Sequence, residues 1–71
     1  MPPRGLRQAV LKALEEWRGG YAYSRQLVDP VSRLIEKSVT EKQIGQLLSQ
    51  HLGDGKVSRV YGEKAYLWKR N

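Results

Sequence analysis

The sequence predicts an α+β domain in which three helices pack on a small antiparallel sheet ending in a C-terminal hairpin. Three observations carry this expectation. Apolar residues recur at helical spacing in three separate stretches, centred near Val10, Val31 and Leu47. The last third of the chain changes character, to two runs rich in Val, Tyr and Trp separated by Gly62-Glu63. Finally, 71 residues without a cysteine make one domain whose elements must share one core, since no disulfide can staple it.

Taken in order, Met1 to Arg4 is expected to be a frayed tail, because Pro2 and Pro3 deny it a helix. The domain proper covers residues 5–71. The first helix is expected from Leu6 to Arg18, with Leu6, Val10, Ala13, Leu14 and Trp17 on one face and Gly19-Gly20 as its stop. Tyr21-Ala22-Tyr23 is too brief to be a sheet by itself and suits the third strand of a small one. A second helix covers most of Ser24 to Glu36, with Leu27, Val28, Val31, Leu34 and Ile35 inward and Ser24 as a plausible cap. Asp29-Pro30 reads as a cap and a first-position proline, which leaves either a restart or a kink there.

Lys37-Ser38-Val39 is a tight connection into the third helix. Thr40-Glu-Lys-Gln43 fits a capping box, in which the Thr side chain takes a backbone donor and Gln reaches back from three residues on. That helix is expected to run to about Leu52, with Ile44, Leu47, Leu48 and Leu52 inward and Gly53 ending it. Strands from Lys56 to Tyr61 and Lys64 to Lys69 then flank a two-residue turn, Gly62-Glu63, that sets Tyr61 opposite Lys64, Arg59 opposite Tyr66 and Val57 opposite Trp68. Alternation separates a small apolar face (Val60, Ala65, Leu67, with Ser58), expected on the core, from a face carrying Val57, Arg59, Tyr61, Lys64, Tyr66 and Trp68.

Net charge is +6 with 13 basic and 7 acidic residues, a balance that suits an acidic partner. No apolar run approaches the ~20 residues of a membrane span, and the N-terminus lacks a signal-peptide core, so a soluble intracellular protein is expected. A single histidine and no cysteine leave little basis for a metal site. His51 reads as a helix-end residue favoured by the dipole. Glu15-Glu16 has no cleft to serve. The chain carries no phosphate loop, dinucleotide fingerprint or nucleophile elbow, so no enzyme activity, cofactor or small-molecule substrate is expected.

The order helix, strand, helix, tight turn, helix, hairpin resembles that of a winged helix-turn-helix domain, over nearly the whole chain from Leu6 to Lys69. Thr40-Glu-Lys-Gln-Ile-Gly-Gln-Leu-Leu48 looks like the start of such a fold's recognition helix, and Val57-Ser-Arg-Val-Tyr-Gly-Glu-Lys-Ala-Tyr-Leu-Trp68 looks like its wing. The second half is also loosely similar to small winged-helix modules of phage and plasmid replication proteins. The resemblance implies that the third helix enters the major groove while the wing touches the flanking backbone. It implies double-stranded DNA as partner, bound by a monomer or a homodimer. The role implied is a transcription regulator or an accessory factor in replication or recombination, cytoplasmic and nucleoid-associated, or nuclear in a eukaryote.

Read residue by residue, the outward face of the third helix carries Glu41, Lys42, Gln46, Ser49 and Gln50, with Thr40 and Gln43 at its start. Gln can pair with adenine through two hydrogen bonds, and Lys can meet guanine or phosphate. A solvated face would look similar, but it would more often carry paired Glu and Lys. Lys56, Arg59 and Lys64 on the hairpin and Arg25 at the start of the second helix complete the candidate phosphate contacts, with Arg59 able to stack on Tyr66. Arg4, Arg7, Lys69 and Arg70 add general attraction. Gly45 costs ~1 kcal/mol relative to alanine in mid-helix. Either close packing of the second helix, the commoner cause, or the approach of a DNA backbone would explain it. An alternative function is a protein-interaction module, marked by an exposed apolar patch on the first helix around Leu6, Val10 or Trp17. RNA binding ranks below both for want of an RNA-recognition signature, and membrane-surface binding ranks lower still, because the first helix mixes acidic with basic residues on its polar face.

Overall fold

The computed structural model describes residues 5–71, so the tail expected at residues 1–4 lies outside the described residues. Its elements are α1 (Leu6–Glu15), β1 (Ala22–Tyr23), a 3-10 turn (Ser24–Leu27), α2 (Val28–Ile35), α3 (Glu41–Gly53), β2 (Val57–Tyr61) and β3 (Tyr66–Arg70). The strands form one antiparallel sheet in the order β1-β3-β2, with Ala22 opposite Trp68 and Val57 opposite Arg70. Three helices on a three-stranded sheet with a C-terminal hairpin is the winged helix-turn-helix layout.

One core joins all of it. Leu6, Val10 and Leu14 of α1 meet Leu27 and Val31 from the second helical segment and Ile44, Leu47 and Leu48 of α3, and Ala22, Val57 and Trp68 close it from the sheet. Burying a Leu, Ile or Val side chain contributes ~1.5–3 kcal/mol, and every element contributes at least one buried side chain, β1 only the small Ala22.

α1 stops at Glu15, three residues earlier than the periodicity suggests. The Trp17 and Gly20 amides bond to the Leu14 and Trp17 carbonyls at 3.2 and 3.4 Å, so a tight turn replaces the last helical turn, and Trp17 packs on the edge of the core. Gly20 takes φ +79°, a conformation glycine adopts without steric cost, as the chain reverses into β1.

The second helical segment restarts at Val28, two residues before Pro30. Ser24 is therefore no helix cap. It lies in the 3-10 turn, where the Tyr23 amide is satisfied by Gln26 Oε1 at 2.9 Å. Asp29 is no cap either. It sits inside the first turn of α2, where its charge favours the helix dipole, and Pro30 follows in that same turn, where a missing N–H leaves no bond unmade. Leu34, expected inward, is 43% exposed, because the short α2 turns only its Val28, Val31 and Ile35 stripe to the core. Glu36 ends α2 at φ +56°, with the Lys37 amide returning to the Ser32 carbonyl at 3.2 Å. The Ser32 hydroxyl accepts the Val39 amide at 3.3 Å, which holds the helix-turn-helix connection while Val39 is buried.

The capping box forms as expected. Thr40 Oγ1 accepts the Gln43 amide at 3.1 Å, and Gln43 Oε1 accepts the Thr40 amide at 3.0 Å. α3 includes Gly53 as its last residue, and Asp54 caps it.

The hairpin differs from expectation in two ways. Tyr61 pairs with Tyr66, not Lys64, so every partner moves by two residues and Arg59 faces Trp68. The Gly62 amide bonds to the Ala65 carbonyl at 2.8 Å, which puts Glu63-Lys64 at the tip. A two-residue shift preserves which side chains share a face. The core, however, takes the other face: Val57 and Trp68 are buried, whereas Val60 is 43% exposed. The third strand explains the choice: buried Ala22 stands opposite Trp68, so Trp68 and Val57 share the side of the sheet that Ala22 turns to the core. Only the base of that face is covered, and it continues as exposed Arg59, Tyr61 and Tyr66.

Candidate nucleic-acid interface

α3 is held by the stripe Ile44, Leu47, Leu48 and His51, all buried. Helical geometry then turns Lys42, Gly45, Gln46, Ser49 and Gly53 to the opposite side. None of the side-chain hydrogen bonds among the described residues uses Lys42, Gln46 or Ser49, and all three are exposed. Their donors and acceptors are uncommitted.

Gly45 lies on this face. A Cβ added there would meet nothing within 4 Å. The expectation that close packing of the second helix requires this glycine is therefore incorrect: within the fold, alanine would fit.

The flanking polar residues are partly committed. Thr40 and Gln43 satisfy each other's backbone, which leaves the Thr40 hydroxyl hydrogen and the Gln43 side-chain NH2 as donors. Gln50 accepts a bond from Arg7 at 2.6 Å, and the same guanidinium reaches Asp54 at 3.2 Å. Gln50 is thus tied toward α1 through its oxygen, and its NH2 remains free to donate. Nothing in the sequence signals this contact, which joins residues 43 positions apart.

The wing brings a second set together. Arg59 lies over the Tyr66 ring at 4.1 Å from its centroid and 5.6 Å from that of Trp68, so its charge is held flat against aromatic faces. Lys64 projects from the tip. Arg25, 5.6 Å above the Tyr23 ring, shares a groove with Lys64, together with Tyr23, Glu41, Glu63 and Ala65. Fold topology alone makes Arg25 and Lys64 neighbours. Glu41 and Glu63 moderate their field, and Glu41 is held by the Ser24 hydroxyl at 3.4 Å. Lys56 is exposed at the base of β2, where its carbonyl accepts Arg70 at 2.8 Å and the Asn71 amide at 3.0 Å. Lys69 lies 5.6 Å from the Tyr21 ring centroid, and Arg33 is exposed on α2. Arg4 lies outside the described residues.

His51 lies in the last turn of α3, as expected of a helix-end residue, but it is buried in place of carrying a charge to the helix dipole. It is 1% exposed, and its Nε2–H donates to the Arg7 carbonyl at 3.1 Å while Nδ1 has no partner. Burial pushes its pKa below the ordinary value, and the charges of Arg7 and Lys56 push the same way. The Arg7 carbonyl and Asp54 oppose the shift. Its position three and four residues beyond Leu48 and Leu47 was the legible signal, since it completes their stripe.

Among the described residues, no three or more His, Asp or Glu side chains gather as a metal site would require, and no helix is long and apolar enough to cross a membrane. No protein-family model matches the chain, and no curated protein or solved structure is significantly similar to it.

Proposed function

We propose that this chain is a DNA-binding winged-helix protein, with α3 in the major groove of a duplex and Arg59 and Lys64 on adjacent phosphates. The observation that carries the reading is the outward face of α3. It presents Lys42, Gln46 and Ser49 without internal partners, around a mid-helix glycine that the fold itself does not need. A glycine tolerated at ~1 kcal/mol with open space before it suits the close approach of another backbone. Gln46 suits an adenine edge and Lys42 a guanine or phosphate. Arg25, Thr40, Lys56 and the NH2 groups of Gln43 and Gln50 are the flanking donors.

The role that fits such a module is transcription regulation, or an accessory part in replication or recombination. The protein-docking alternative has lost its marker, since Leu6 and Val10 are buried and Trp17 packs on the core. Titration with a DNA duplex, followed by amide NMR shifts, tests the proposal. Shifts are expected along Lys42 to Gln50 and on the wing. Shifts confined to α1, or none at moderate salt, would overturn it.

A further inference from the structure

The wing carries aromatic surface that neither the core nor a duplex contact explains. Tyr61 is 75% exposed and Tyr66 41% exposed. They are cross-strand partners, with ring centroids 5.3 Å apart and planes at 88°. Tyr66 in turn meets Trp68 at 6.1 Å and 63°, and Trp68 is buried. The three rings form a column from the core to solvent. Arg59 lies along it, over Tyr66 and Trp68. Lys64 is at the hairpin tip, where it lines the groove shared with Arg25.

Tyr61 meets one ring, Tyr66, at right angles, and Arg59 lies over Tyr66 in turn, so Tyr61 has an aromatic neighbour on one side while most of its surface stays open. An aromatic ring so open to solvent offers a face on which a flat partner can stack. Folding does not require it, since a strand end this exposed accepts many side chains.

We propose that Tyr61 is a stacking site for an unpaired DNA base, with Arg59 and Lys64 attracting the phosphates on either side. The occupant follows from geometry. A base inside a duplex has both faces covered by its neighbours and offers only its edges, so a free ring face can engage only an unpaired or terminal base. The charge follows as well: Arg59 lies against the column on a chain of net charge +6, which suits a polyanionic strand and repels a second copy of itself. This inference rests on the proposed duplex contact by α3, and it makes the preferred target a duplex that continues into a single strand.

The test uses the full chain and three fluorescent probes: a blunt duplex, the same duplex with a single-stranded overhang of about ten nucleotides, and the single strand alone. Wild type should bind the overhang probe more tightly than the blunt one, by roughly 5-fold to 100-fold, the effect of one stacked base. Tyr61→Leu should lose that gain while keeping its affinity for the blunt duplex, and Tyr61→Phe should retain it. A 2-aminopurine placed in the overhang should be quenched on binding wild type and not Tyr61→Leu. Circular dichroism melting of both variants checks that the fold is kept. Equal affinity for blunt and overhang probes, or a gain that survives Tyr61→Leu, overturns the stacking site while leaving the α3 reading in place. Tyr61-dependent binding of the overhang or single strand without any binding of the blunt duplex supports the stacking site and overturns the α3 reading. Binding of no probe overturns both.

Discussion

His51 is the one polar side chain among the buried residues described, and it sets a pH dependence on the fold. In the folded chain its protonated form is disfavoured, first by burial and then by Arg7 and Lys56. A base whose folded pKa lies below its unfolded value binds more protons when unfolded, so stability rises with pH through that window. Its contribution is complete above the unfolded value, about 6.5, and is lost as the pH falls toward the folded one. Thermal melts between pH 7 and pH 5 should show Tm dropping, and His51→Gln, which keeps a donor for the Arg7 carbonyl but does not titrate, should flatten that drop. Gly45 makes the complementary case. Gly45→Ala should raise stability by ~0.5–1 kcal/mol in urea unfolding, because helix propensity improves and the added methyl meets nothing. The same change should weaken duplex binding. A variant that gains stability with unchanged affinity would remove the reason for the glycine offered above.

At the scale of elements, the hairpin tip is the most tightly specified piece. A Cβ at Gly62 would lie 2.8 Å from the Ala65 carbonyl oxygen and 2.9 Å from the Tyr23 hydroxyl. The first of these is backbone and cannot swing away. Gly62→Ala should therefore distort the tip and lower stability by ~1–3 kcal/mol, the range of a small overpacking. NMR should locate the change at Glu63 to Tyr66 and Tyr23. Much of the elements was legible in advance. The α3 capping box rests on bonds between residues three apart, so local sequence contains all of it. The hairpin register was not legible, because both a two-residue turn at Gly62-Glu63 and the observed tip at Glu63-Lys64 keep the same alternation. In the observed tip Tyr23 comes close to Gly62 from another strand, a contact that local sequence does not contain.

For the whole molecule, the testable quantity is charge. A protein that neutralises phosphates releases counterions, so affinity should fall with salt by about 0.9 logarithmic units per contact for each tenfold rise. Lys42→Gln should lessen that slope by about 1 in fluorescence titrations across salt concentrations, and Arg59→Gln by a similar amount. Lys12→Gln should leave it unchanged, since Lys12 lies on α1 beside Glu16, at 3.9 Å. Equal slopes for all three variants would mean a diffuse basic attraction in place of an interface on α3 and the wing. Arg25 and Lys64 share a groove with Glu41 and Glu63, so their combined effect should be smaller than that of two isolated cations.

The sequence by itself determined the order of the three helices and three strands, most of the apolar stripes of α1 and α3, the capping box and the set of side chains left outside α3. All of these follow from periodicity and from contacts between near neighbours in the chain. Tertiary structure decided which face of the hairpin meets the core, because that depends on β3 pairing with β1, which sets Trp68 opposite buried Ala22. Tertiary structure also buried His51, tied Gln50 to Arg7, brought Arg25 beside Lys64 and left open space before Gly45. Each of these depends on residues distant in sequence that meet only when the three helices and the sheet close on one core.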